Sequence, residues 1–95
     1  MAFEIKWSIT AQDDFDAILE FISESQSNES AIEFIEIFYK KLDLLALMPN
    51  IGIESQQYPT IRRILITKLY SLLYQIESDT IFLIRLIDNR SAFRF

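Results

Sequence analysis

The sequence predicts an α+β domain with the element order β-α-α-β-β-β, and three observations carry that prediction. At the start of the chain Phe3, Ile5, Trp7 and Ile9 alternate with Glu4, Lys6 and Ser8, the period-two pattern of a half-buried strand. Residues 11–47 then place apolar side chains at helical spacing, interrupted once by the polar stretch Ser23 to Asn28. Residues 60–90, TIRRILITKLYSLLYQIESDTIFLIRLIDNR, hold three apolar runs rich in strand-forming residues, separated by the hairpin-sized breaks Thr67-Lys68 and Glu77-Ser78-Asp79. The expected architecture is an antiparallel sheet, mixed if the first strand joins it in parallel, with a two-helix hairpin on one face. At 95 residues the chain is expected to form one domain over 1–95.

Taken in order, the first strand gives way to Thr10, an expected N-cap with Asp13 three residues on in the capping-box position. From Ala11 to about Glu24, a stripe of Ala11, Phe15, Ile18, Leu19 and Ile22 predicts an amphipathic helix with its acids largely on the other face. Ser27 or Asn28 caps a second helix, expected from about Glu29 to Leu47 and stopped by Met48-Pro49. It carries two apolar stripes. Ala31, Ile35, Phe38, Leu42 and Leu45 form one, and Phe34, Ile37, Leu44 and Met48 form the other. A face that wide either lies between the sheet and the first helix, or leaves its second stripe open to a partner segment.

Residues 49–59 read as a loop turning at Gly52. In the second meander strand Tyr70, Leu72, Tyr74 and Ile76 share a face, and the tyrosines are expected to be core aromatics. In the third strand strict alternation puts Ile81, Leu83, Arg85 and Ile87 on one face. Phe93 and Phe95 follow the last strand, either packed back on the sheet or meeting a partner.

Composition removes several function classes. No apolar run reaches the roughly 18 residues of a membrane span, and MAFEIKWSIT does not resemble a secretory signal. Without cysteine or histidine there is no disulfide framework, thiolate or imidazole metal site, or triad chemistry. A single glycine excludes phosphate-cradling glycine loops, and no cofactor is expected. The net charge of −5 argues against general nucleic-acid binding. That charge is polarised: residues 1–57 hold eleven acids against three bases, and residues 58–95 hold three against six.

The basic residues of the meander are the candidates for chemistry. Arg85 sits inside an apolar strand, where an unpaired guanidinium is costly, so it is either paired or on an open face. Asp79 and Asp88 are the partners expected for it. Arg62 and Arg63 are adjacent and must point to opposite faces. Arg63, Lys68, Arg85 and Arg90 are the catalytic candidates if their heads converge. Phe34, Ile37, Leu44, Met48, Phe93 and Phe95 are the partner-binding candidates.

The order of elements and the residues at their junctions resemble the RelE/ParE superfamily of small bacterial toxins. The matching features are Trp7 in the opening strand, then Ala11, Asp14 and Ile18 in the first helix. Ser30-Ala-Ile-Glu-Phe34 lies early in the second helix, with Leu42, Leu45, Pro49 and Gly52 at its end. Ile61-Arg62-Arg63, Tyr70-Ser-Leu-Leu-Tyr74 and Ile84-Arg85-Leu86-Ile87-Asp88-Asn89-Arg90 complete the pattern. The arginine pair and the ending resemble the ParE branch more than the RelE branch. The resemblance implies a cytoplasmic toxin of a type II toxin–antitoxin (plasmid or chromosome stabilisation) module, with an antitoxin laid across its grooves and DNA gyrase as the ParE-type target. A RelE-like endoribonuclease acting on messenger RNA at the ribosome is the alternative, with metal-independent charge stabilisation by basic residues and a C-terminal tyrosine. Arg90 matches the arginine that such enzymes place after the last strand, but no tyrosine follows it. A non-toxic relic that only binds an antitoxin, or pairs with itself as a homodimer, is the third reading.

Overall fold

The computed structural model describes residues 2–91 and 95. Its elements are β1 (Glu4–Trp7), α1 (Ile9–Ser25), α2 (Asn28–Leu47), a 3-10 turn at Pro49–Ile51, β2 (Ile53–Glu54), β3 (Ile61–Leu65), β4 (Tyr70–Glu77) and β5 (Thr80–Asp88). The sheet order is β1-β5-β4-β3-β2. β1 runs parallel to β5 and every other pairing is antiparallel, so the sheet is mixed through its first strand. The expected β-α-α-β-β-β order stands, with β2 as a two-residue edge strand inside the stretch expected to be loop.

The strand-to-helix junction falls two residues earlier than Thr10. Ser8 is the N-cap: its Oγ accepts from Ala11 N at 2.9 Å and donates to Ile84 O at 2.9 Å. Ser8 N also donates to Leu83 O, continuing the β1–β5 ladder by one bond. A hydroxyl that can both donate and accept serves the helix start and the sheet together, which Thr10, already inside α1, does not. Ile9 therefore starts the helix and is 78% exposed instead of completing the strand. At the second junction Ser27 is the cap, accepting from Ser30 N at 3.0 Å.

The core lies between the helical hairpin and one face of the sheet. Ala11 and Ile22 of α1, Phe34, Phe38, Leu42 and Leu45 of α2, and Leu72, Tyr74, Ile81, Leu83 and Leu86 of the sheet are buried in it. Aromatic rings lock one end: Phe15 lies 4.8 Å from Phe38, and Trp7 lies 5.3 Å from each of them. Pairs at such distances add about 0.5–1.5 kcal/mol each beyond the area they bury.

A bulge corrects the alternation expected for the third meander strand. Leu73 pairs with Arg85 and Tyr74 pairs with Leu83, leaving Ile84 without a counterpart. After that extra residue the faces exchange, so Leu86 takes the core position that strict alternation gives to Arg85. Tyr70 and Tyr74 are both buried as core aromatics. The Tyr74 hydroxyl accepts from Gly52 N at 2.9 Å and donates to Pro49 O at 2.6 Å, fastening the segment after α2 to the sheet. Burial raises its pKa above the ordinary phenol value, so it remains protonated at neutral pH. Gly52 is required by proximity: a Cβ there would lie 2.5 Å from the Tyr74 hydroxyl oxygen.

Tyr74→Phe leaves two main-chain groups without their partner and is expected to lower stability by about 1–3 kcal/mol in urea unfolding. Gly52→Ala is expected to cost about 1–3 kcal/mol through the enforced overlap.

Candidate functional site

The sheet half presents its cations in two different ways. Three arginines are closed by carboxylates. Arg85 donates through Nε and Nη2 to Oδ2 and Oδ1 of Asp14, at 3.2 and 3.1 Å. Arg90 donates through the same two nitrogens to Asp88, at 3.0 and 2.7 Å. Arg62 reaches Glu54 at 3.0 Å and also donates to Asn50 O and Gly52 O. The partner of Arg85 is thus Asp14 of α1, not Asp79 or Asp88. The sequence separation of 71 residues hid that pairing, and the bulge turns Arg85 off the core face at the stretch of β5 that β1 leaves unpaired.

Arg63 is held differently. Its Nε donates to Ser71 Oγ at 3.1 Å and its Nη2 donates to Asn89 Oδ1 at 3.0 Å. Ser71 is fully buried and donates in turn to Asn89 Oδ1 at 2.6 Å, while Asn89 Nδ2 donates to Lys68 O. The guanidinium carbon lies 5.7 Å from the centre of the Phe95 ring, and Ser55 Oγ donates to Phe95 O. Among the described residues this is the one meander arginine whose hydrogen-bonding partners are neutral.

The four catalytic candidates therefore do not meet in one set of contacts. Arg63 and Lys68 are linked through Asn89, Lys68 by its main chain only, with its side chain exposed in the β3–β4 turn. Arg85 and Arg90 are each engaged by a separate carboxylate. Neither the sequence nor its patterning signalled Ser71 and Asn89 as ligands of Arg63.

A cavity of about 620 Å³ opens where the end of α1, the first half of α2 and the β3–β4 turn meet. Its apolar wall comes from Phe21, Ile22, Phe34, Ile37, Leu69 and Tyr70, and Glu33, Lys68 and Arg90 stand at its polar margins. A second cavity of about 290 Å³ lies beyond Phe21, between α1 and β5, and shares Phe21 and Tyr70 with the first. Phe21 is 54% exposed between the two, outside the core stripe of α1. An aromatic residue off the stripe is the one mark of this surface in the sequence of α1.

The partner-binding candidates divide by position along α2. Phe34, 5% exposed, is a core residue that stands edge-on to Tyr70 at 5.5 Å, and Ile37 packs half-buried beside it. Both offer the cavity only part of their surface. Leu44 and Met48 are exposed at 42% and 53%, together with Leu47 and Ile51, and form an apolar patch at the far end of the helix. The wide helix face is thus covered at Phe34 and Ile37 and exposed at Leu44 and Met48. Phe95 stands beside Arg63 on the open sheet face, and Phe93 lies outside the described residues.

Arg90 lowers the Asp88 pKa to about 2, through its side-chain hydrogen bonds above all and through its backbone N–H at 2.9 Å. A depressed carboxylate stabilises the fold fully above its unfolded value near ~3.9 and loses that contribution as pH falls through about 2. Carboxyl-detected NMR is expected to place the Asp88 midpoint near 2 and to return it toward ~3.9 in Arg90→Ala.

Residues 5–93 match the family described as the ParE toxin of the type II toxin–antitoxin system, parDE. Solved structures share the fold. A chain from the chromosomal ParDE toxin–antitoxin system of P. aeruginosa superposes with a TM-score of 0.77 at 19% identity, covering 92% of this chain and 96% of that one. A chain of the RelBE2 toxin–antitoxin complex of Mycobacterium tuberculosis gives 0.63 at 15% identity, covering 94% and 100%. A conserved hypothetical protein of Helicobacter pylori gives 0.62 at 21% identity, covering 96% and 99%. No curated protein matches by sequence. The family match spans nearly the whole chain and takes in the sheet, the helical hairpin and the arginine pair, so this chain belongs to the ParE toxin family of type II toxin–antitoxin systems.

Proposed function

We propose that this protein arrests growth by binding and inhibiting DNA gyrase, and that an antitoxin encoded beside it holds it inactive in the cytoplasm. The observation that carries the choice of inhibition over RNA cleavage is the closure of Arg85 and Arg90 on Asp14 and Asp88. A charge-stabilising nuclease centre needs cations aimed at a shared point, and two of the four candidates are committed elsewhere. The net charge of −5 favours a protein target over an RNA-rich one in the same sense.

Neutralisation by an antitoxin is supported by the apolar surface that α1 and α2 leave uncovered. Phe21, Leu69 and the cavity between them lie at one end, and Leu44, Leu47 and Met48 lie at the other. Exposed apolar area distributed in this way is a liability in a free monomer and a seat for an amphipathic segment. The chains from P. aeruginosa and M. tuberculosis belong to systems whose names pair toxin with antitoxin.

Expression without the neighbouring gene is expected to stop growth, and co-expression of that gene to restore it. Purified protein is expected to inhibit supercoiling by gyrase and to leave ribosome-bound messenger RNA intact. RNA cutting that Arg63→Ala abolishes overturns the proposal in favour of the endoribonuclease reading. Leu69→Asp, at the apolar wall of the cavity, is expected to weaken capture of the antitoxin by about tenfold or more without altering the thermal transition.

A further inference from the structure

We infer that Arg63 is a receptor for a single carboxylate of a protein partner, taken end-on by its Nη1 and Nη2 nitrogens.

Arg63, Arg85 and Arg90 each use the same edge of the guanidinium, Nε with Nη2. In Arg85 and Arg90 that edge meets a carboxylate, so the charge is matched within the chain. In Arg63 it meets the oxygens of Ser71 and Asn89. These two orient the group at hydrogen-bond distance, but they leave its charge unmatched. The arrangement is built, because Ser71 is fully buried and Asn89 is itself tied to Ser71 Oγ and to the main chain of Lys68.

With the Nε–Nη2 edge engaged, the opposite edge, both Nη1 protons and the outer Nη2 proton, has no hydrogen-bond partner among the described residues. A guanidinium presenting two parallel N–H groups matches the two oxygens of a carboxylate. Arg63 is half-buried, so its charge is partly removed from water, which raises the value of an arriving anion. Pre-fixing the side chain also spares the entropy that a mobile lysine would lose on binding.

The surroundings select the source of the anion. Leu65, two residues along β3 on the same face, is exposed, so an apolar side chain next to the carboxylate finds a contact. Arg62, Arg85 and Arg90 are matched by carboxylates of the chain, so among the described residues this face offers one anion seat and not the row of cations that a polyphosphate backbone engages. A protein segment carrying one acid beside a bulky apolar residue fits both conditions. That the anion comes from a protein rests on the reading of this chain as a partner-binding toxin; the anion site itself rests on the geometry alone.

The test is an NMR titration of the full chain, following the arginine Nε–H signals and the Asn89 side-chain amide. Sodium acetate and inorganic phosphate are the probes, with sodium chloride as the control at matched ionic strength. Acetate is expected to shift Arg63 Nε–H and the Asn89 amide saturably while Arg85 and Arg90 stay in place. Arg63→Lys keeps the charge and removes the fork, and is expected to weaken acetate binding by about tenfold or more. No saturable response, an equal response at all three arginines, or unchanged binding in Arg63→Lys would overturn the site. A response to phosphate with none to acetate would overturn the carboxylate in favour of a nucleic-acid backbone. The readout involves neither gyrase nor growth, so failure of this site and failure of the toxin proposal are observed separately.

Discussion

The outer edge of β5 changes partner halfway along its length, and the rest of the fold depends on how that change is managed. As far as Leu83 the edge is paired with β1 in parallel. Beyond it the chain of β1 has already turned into α1, and the bulge at Ile84 rotates the following main-chain groups. Ser8 Oγ then takes Ile84 O, and Asp14 Oδ2 takes Leu86 N at 3.1 Å. Two side chains of α1 and its cap thus replace a missing strand, leaving these edge groups satisfied. Without them the edge would present open main-chain groups under a helix, where water access is poor. The same carboxylate receives Arg85, so one residue seats α1 on the sheet and closes off a cation.

This double role of Asp14 links fold to function. On a surface, an ion pair of this kind contributes only about 0–1 kcal/mol. Its effect on the character of the molecule is larger than that figure suggests, because it removes one guanidinium from the set that could converge on a substrate. Asp88 does the same for Arg90. The acidic helical half and the basic sheet half are therefore not independent surfaces: α1 lends a carboxylate to the sheet at its most apolar strand. What stays electrostatically open is the face bearing Arg63, away from the helices.

Periodicity alone made the layer arrangement legible, because helix and strand repeats differ and the chain segregates them. The core residues of α1 sit where their stripe puts them, whereas the core of α2 takes Phe34 from its second stripe besides Phe38, Leu42 and Leu45 from its first. Three features were not legible, each for its own reason. The Ser8 cap competes with Thr10 on equal chemical terms until the position of Ile84 is known. The bulge leaves no mark in a run such as Ile81 to Ile87, which is apolar on both faces. The pairing of Arg85 with Asp14 spans 71 residues, whereas the acids near Arg85 in sequence, Asp79 and Asp88, do not pair with it. At the candidate site the residue types were visible and their grouping was not, since Asn89 and Ser71 act through hydrogen bonds that no spacing rule encodes.

Uncovered apolar surface at both ends of α2 has a consequence of scale. Ile37, at the cavity, and Leu47, in the far patch, are ten residues apart on one helix, a rise of about 15 Å. A single inserted side chain reaches one end or the other, never both. A ligand that shields the entire strip must be a polypeptide of roughly ten residues if helical, or about five if extended. Drug-sized compounds filling the cavity would consequently leave the distal hydrophobes wet, and would mimic only a fraction of what a bound chain conceals.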